Sequence, residues 1–271
     1  MVSSDTSTSS DPGHYLDQLH AEVTGPAGAP PLLLLHGWGS SADAMRPAGA
    51  PLADRFRIHN LDLPGHGRTP PPPEAWGVPE YAALVDAYLE REQLPPLPVI
   101  GHSNGGRIAL YMASDARYRH RFTRLALIAP SGVAPQRPVS YYVKTAWIST
   151  LKAPFAVLPD PLRQRGLAWL RTTIYWQLVA SADYQRASGV MRETFVRTVR
   201  HHLDDRLAHV TAPTLIVWGD QDPAISRYQA GVLEREIPDA GLVVLEGAGH
   251  YAYADDPASY ASAITHFLDA T

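Results

Sequence analysis

The chain has 271 residues, 45% hydrophobic and 18% charged, with a net charge of −4. That is one large domain, or one domain carrying an insertion, and folding at this length buries about three quarters of the surface, so no covalent staples are needed. Cysteine is absent, which excludes a disulfide scaffold, thiol catalysis, zinc fingers and iron–sulfur clusters, and the acidic balance argues against a nucleic-acid footprint.

Met1 to Pro12 is rich in Ser, Thr and Asp. It has no basic start, apolar run or cleavage site, so it reads as a disordered tail (residues 1–14) rather than a signal peptide. The longest apolar runs, such as Leu32–Leu35, fall far below the ~20 residues of a membrane span. With no cysteine to oxidise, a cytoplasmic location is expected.

Pro31–His36 is a buried strand, because four consecutive leucines leave no polar face. Phe56–Leu61 is the next strand. Pro70–Pro73 is a stiff loop. Glu80–Glu92 is a helix, with Tyr81, Leu84, Val85, Tyr88 and Leu89 at helical spacing. Leu97–Gly101 is a strand, Asn104–Ser114 a helix and Arg124–Ala129 a strand. The alternation then stops. From Ala134 to His209 the chain offers aromatic-rich helical stretches at Tyr141–Thr150, Arg163–Val179 and Asp183–His202. Strands resume at Thr214–Trp218 and Leu242–Leu245, followed by helices at Arg227–Glu236 and Pro257–Leu268. This pattern predicts an α/β fold: a mostly parallel sheet flanked by helices, its core formed by residues 15–133 and 210–271, with a helical cap inserted over 134–209 at the carboxyl edge where such sheets bind ligands.

Chemistry concentrates at the strand ends. Gly101-His-Ser103-Asn-Gly105 is a G-x-S-x-G turn between a strand and a helix, the setting that projects a serine hydroxyl above the sheet at the positive end of a helix. Ser103 is therefore the candidate nucleophile. His36-Gly-Trp38-Gly39 ends the first parallel strand, and the backbone amides of Trp38 and Asn104 are candidate oxyanion donors. His36 itself reads as a buried histidine bonded to loop backbone.

A serine needs a base and an orienting acid. Of 12 histidines, His250 has the right setting, in a glycine-rich loop after the last strand. The acid belongs between Ser103 and His250, where Trp218-Gly-Asp220-Gln-Asp222 offers two carboxylates. Asp222 lies further into the loop and is preferred, with Asp220 as a turn cap. No Asp or Glu occurs from Ala116 to Pro159, so the strand ending near Ala129 supplies no acid. His201-His202 with Asp204-Asp205 reads as a solvated face, and no metal site is expected. The arginines of 117–124 read as a solvated loop. The loop from Asp62 to Thr69 reads as shaping the sheet edge.

From about Tyr15 to the C-terminus, HGWG at 36–39, DLPGHGRT at 62–69, GHSNGG at 101–106, WGDQD at 218–222 and GAGH at 247–250 together resemble the α/β-hydrolase superfamily. The resemblance implies a Ser103–His250–Asp222 triad, oxyanion amides at Trp38 and Asn104, a cap over 134–209, and no cofactor. Asn104 departs from the apolar residue many relatives carry, and Gly67-Arg68-Thr69 departs from their Gly-x-Ser.

The insertion contributes Tyr141, Tyr142, Trp147, Phe155, Trp169, Tyr175 and Trp176. Trp38, Tyr142, Trp147 and Trp176 are the candidate substrate contacts. The expectation is a hydrolase of small to medium apolar carboxylic esters, whose partner is a small molecule rather than nucleic acid or membrane. Alternatives on the same fold are a carbon–carbon bond hydrolase, a cofactor-free haloperoxidase or perhydrolase, and a non-catalytic small-ligand receptor. Epoxide hydrolases and haloalkane dehalogenases fit less well, because they need a carboxylate where Ser103 stands.

Overall fold

The computed structural model describes residues 12–136, 150, 154–155, 159–170 and 182–269. Among them is a seven-stranded sheet in the order β1-β3-β2-β4-β5-β6-β7. The strands are β1 (Ala21–Thr24), β2 (Pro31–Leu35), β3 (Arg57–Leu61), β4 (Leu97–His102), β5 (Phe122–Ile128), β6 (Thr214–Gly219) and β7 (Ala240–Leu245). All neighbours pair in parallel except β1, which runs antiparallel to β3.

The four leucines of β2 explain how the layers form. Successive side chains point to opposite faces. Leu33 and Leu35 join Val99, Leu125, Leu127 and Ile216 under helices α2 (Val78–Arg91), α3 (Asn104–Ser114) and α7 (Arg227–Glu236). Leu32 and Leu34 join Ile100, Ile128 and Val217 under α1 (Ala42–Gly49), α8 (Ala252–Asp255) and α9 (Pro257–Asp269). A strand covered on both faces has no use for polar alternation, which is why these runs are continuously apolar.

Three features of the sheet unit were not in the sequence expectation. The first is β1, whose Ala-Glu-Val-Thr is short and only half-buried at the sheet edge. The second is α1, which carries Pro47 inside it. The third is the start of the fold: residues 12–14, expected in the tail, begin a 3₁₀ helix over Pro12–Gln18. Tyr15 anchors that helix. Its ring meets Trp76 edge-on at 5.3 Å and its hydroxyl donates to the Pro70 carbonyl. The rest of the expected tail lies outside the described residues.

The chain divides into two compact units, residues 1–134 with 189–271, and residues 135–188. The helix expected over Asp183–His202 is split at this boundary into α5 (Ala182–Arg186) and α6 (Gly189–Arg200), because Gly189 has φ +53°, outside the right-handed helical range. Thus α6 and the residues to His209 belong to the sheet unit rather than to the expected insertion. In the second unit, α4 (Asp160–Leu170) sets Gly166 against the Phe155 ring. No helix among the described residues is long and apolar enough to cross a membrane.

Candidate active site

The register brings the carboxyl ends of the central strands level. Leu35 pairs with Gly101, and His102 with Ile128. On the other side Gly219 pairs with Leu245. The loops carrying Trp38, Ser103, Asp222 and His250 therefore leave the same edge of the sheet. The strand order reverses between β2 and β4, and such a switch point opens a crevice at that edge.

Ser103 turns directly from β4 into α3 with φ +49° and ψ −109°. A non-glycine residue held there costs on the order of 1–3 kcal/mol and persists only when its surroundings over-determine it. Here they do. The Ser103 amide donates to Ile128 at 3.0 Å, and its carbonyl accepts from the amides of Arg107 (3.1 Å) and Ser131 (3.0 Å) and from the Ser131 hydroxyl (3.1 Å). A side chain at Gly105 would run into the Leu35 carbonyl, so a small residue is required for α3 to start this close to β2. Asn104, buried at the first position of α3, has one of the first-turn amides that find no acceptor within the helix.

Gly37 crosses directly over the nucleophile turn. A Cβ there would stand 2.9 Å from His102 Nδ1 and 3.1 Å from Ser103 Cβ. Trp38 is the next residue, so its backbone also runs beside Ser103. His36 is fully buried and tied to loop backbone: Nδ1 lies 2.7 Å from the Gly37 carbonyl, and Nε2 accepts from the Leu63 amide at 2.9 Å. Burial, with His66 beside it, pushes its imidazole down to about 3.

On the far side of β4, His250 Nδ1 lies 2.8 Å from Asp222 Oδ2. A carboxylate only accepts, so Nδ1 carries the proton of the neutral ring and Nε2 keeps its lone pair. The carboxylate is fully buried while the imidazole is 18% exposed. Burial raises the Asp222 carboxyl, but the His250 bond and the amides of Ile225 (3.0 Å) and Ala224 (2.7 Å) outweigh it and hold the group below the usual carboxylate range. Asp220 does something else: it accepts from the Gly247 amide at 2.7 Å.

The motif reading passed over His102. It is buried, and its Nε2 lies 3.0 Å from the His250 carbonyl; facing an acceptor, that nitrogen carries the proton. The two rings are 4.8 Å apart. Burial, with the His250 imidazole beside it, pushes His102 down to about 3, so it stays neutral. With Asp220 on Gly247 and Asp255 on the Gly249 amide at 2.8 Å, it fixes the His250 loop along its length. His102 also joins the Ser103 turn to that loop.

The structure therefore gathers Ser103, Asn104, Trp38, Asp222 and His250 at one edge of the sheet. Tyr142, Trp147 and Trp176 lie outside the described residues. Asp204 accepts from the Ala134 amide at 3.1 Å, and His201 packs edge-on against Tyr111, so this stretch is engaged with its own surroundings. Of the 117–124 arginines, Arg117 and Arg119 are exposed, as a solvated loop requires, while Arg121 pairs with Asp86 at 2.6 Å and Arg124 lies over the Phe267 ring.

Comparison with known proteins agrees with this architecture. The family described as alpha/beta hydrolase fold matches residues 30–257. A pimeloyl-[acyl-carrier protein] methyl ester esterase of Aeromonas hydrophila is 27% identical over 88% of this chain and 95% of its own. An uncharacterized protein of Mycobacterium tuberculosis is 26% identical over 89% of this chain and 76% of its own. The solved esterase from Exiguobacterium antarcticum shares the fold, with a TM-score of 0.69 and 21% identity over 93% of this chain and 96% of that one. The chain belongs to the alpha/beta hydrolase fold family.

Proposed function

We propose that the protein is a serine hydrolase of small to medium apolar carboxylic esters, acting in the cytoplasm without a cofactor. The observation that carries the reading is the Asp222–His250 hydrogen bond at 2.8 Å, at the same sheet edge as a serine in a strained strand-to-helix turn. The ester linkage is favoured by the named activity of the Aeromonas relative.

In this reading Ser103 Oγ attacks the ester carbonyl carbon while His250 Nε2 takes its proton. The carbonyl oxygen becomes an oxyanion, met by the amides of Trp38 and Asn104. Each such donor is typically worth about 2.7–4 kcal/mol. The leaving alkoxide takes the proton from His250, and an acyl-enzyme remains. Water then adds to the acyl carbon, gives a proton to His250, and the returned proton restores the Ser103 hydroxyl as the acid departs. Asp222 keeps the imidazole in the required tautomer and stabilises its charged form.

The test is hydrolysis of p-nitrophenyl acetate and butyrate. Ser103→Ala is expected to lower kcat by at least about a thousandfold, with the circular dichroism spectrum unchanged. Undiminished turnover in a folded Ser103→Ala protein overturns the reading.

A further inference from the structure

We propose that Phe195 on α6 sets the length of acyl group the site accepts, forming with Trp38 and His66 an aromatic wall on the acyl side of Ser103. The proposal rests on the ester-hydrolase reading above and deepens it.

The wall starts at the nucleophile. Gly37 lies on the Ser103 turn, and Trp38 follows it. The Trp38 ring is met edge-on by His66 at 4.9 Å and by Phe195 at 5.1 Å. Phe195 is half-buried, and it comes from a helix that sits more than 150 residues along the chain from Trp38. Edge-to-face packing of this kind contributes beyond the apolar area it buries and fixes ring orientation.

The helix behind Phe195 is pinned. Thr194 is fully buried, and its hydroxyl accepts from the Trp76 amide at 3.1 Å. Arg197 donates to the Ala75 carbonyl at 2.6 Å. Arg107, on the helix that begins at the nucleophile turn, donates to the carbonyl of Thr198 in the last turn of α6. Gly65 has the Met191 side chain directly against it. A helix held at four places cannot swing aside to admit a longer chain, so the ring it carries acts as a fixed stop.

The sheet order decides which part of the substrate meets this stop. The base protonates the leaving group, so the leaving group lies toward His250. His250 and Asp222 follow β7 and β6, on one side of β4. Trp38 and His66 follow β2 and β3, on the other. With the oxyanion held by the Trp38 and Asn104 backbone amides, the proposal puts the acyl chain on this same side of β4, against the Trp38 and Phe195 rings. The aromatic edges of Trp38 and Phe195 give an apolar chain contact area, so the chemistry selected is a short apolar acyl chain.

The experiment compares kcat/KM for p-nitrophenyl acetate and p-nitrophenyl octanoate in wild type, Phe195→Ala and Phe195→Trp, with a second series that varies the leaving alcohol at fixed acetyl. The octanoate-to-acetate ratio is unaffected by how much of a preparation is folded. Phe195→Ala is expected to raise that ratio about tenfold or more, and Phe195→Trp to lower it, in the range that one or two apolar contacts supply. An unchanged ratio in both variants, or a change confined to the leaving-alcohol series, overturns the inference while the Ser103 chemistry stands. Absence of any Ser103-dependent turnover in wild type overturns the underlying reading and this inference with it.

Discussion

The two sides of Ser103 are built on different principles. Toward β6 and β7 the contacts are directional and charged: Asp222 on His250, Asp220 on Gly247, Asp255 on Gly249 and His102 on the His250 carbonyl. Toward β2 and β3 they are ring against ring, with Trp38 between His66 and Phe195. Under the proposed ester chemistry the difference follows from the tasks. A proton would be handed over at one atom, which calls for single atoms fixed to a few tenths of an ångström, whereas an acyl chain would be accommodated by shape, which calls for fixed surfaces. Damage to the polar side should therefore appear in kcat, and damage to the aromatic side in the ranking of substrates.

The largest expected effect breaks the polar side alone. Asp222→Asn keeps the shape of the carboxylate but lets the amide hold the wrong imidazole tautomer. Loss in kcat is expected to be on the order of 10⁴, with the octanoate-to-acetate ratio unchanged. A comparable loss confined to one acyl length would erase the distinction between the sides.

Acid should weaken the frame next. His102 and His36 are buried and pushed down to about 3, chiefly by desolvation, whereas in the unfolded chain each returns to about 6.5. A lowered histidine stabilises the fold fully above the unfolded value and loses that contribution as pH falls from about 6.5 toward 3. Asp222, held below the usual carboxylate range, adds a loss of the same sign below about pH 4. Urea midpoints measured from pH 7 to pH 3.5 are expected to fall steeply, by the equivalent of several kcal/mol at the acid end. The slope should flatten in His102→Gln. A midpoint independent of pH over this range would contradict the burial of both rings.

The smallest effect sharpens the aromatic side. Thr194→Val keeps the volume but leaves the buried Trp76 amide without its acceptor, at a cost of about 1–3 kcal/mol. Thermal unfolding should register that loss. Turnover of p-nitrophenyl acetate should stay within a few-fold of wild type, while discrimination against octanoate relaxes, because α6 carries the stop.

The polar side was largely legible in the sequence, since its parts sit in loops with fixed order along the chain. Strand, G-x-S-x-G and helix specify the Ser103 turn, and at Gly101 and Gly105 beside it a side chain would collide with neighbouring backbone. The choice between Asp220 and Asp222 needed only one step of loop geometry. Of the aromatic side, the sequence offers Trp38 but not Phe195. Trp38 and Phe195 meet through tertiary packing that no local periodicity records. The helical stretch expected over Asp183–His202 contains α6, but its start at Gly189 and the burial of Thr194 and Thr198 follow from tertiary packing. The edge strand β1 and helix α1 escaped for local reasons, one too short and polar, the other interrupted by Pro47.

Labelling with a fluorophosphonate probe, followed by mass mapping of the adduct, tests the central claim most directly. The account predicts a single phosphonylated serine at Ser103, formed quickly in wild type and almost abolished in His250→Ala. An adduct on another serine, no adduct, or labelling indifferent to the loss of His250 would contradict it.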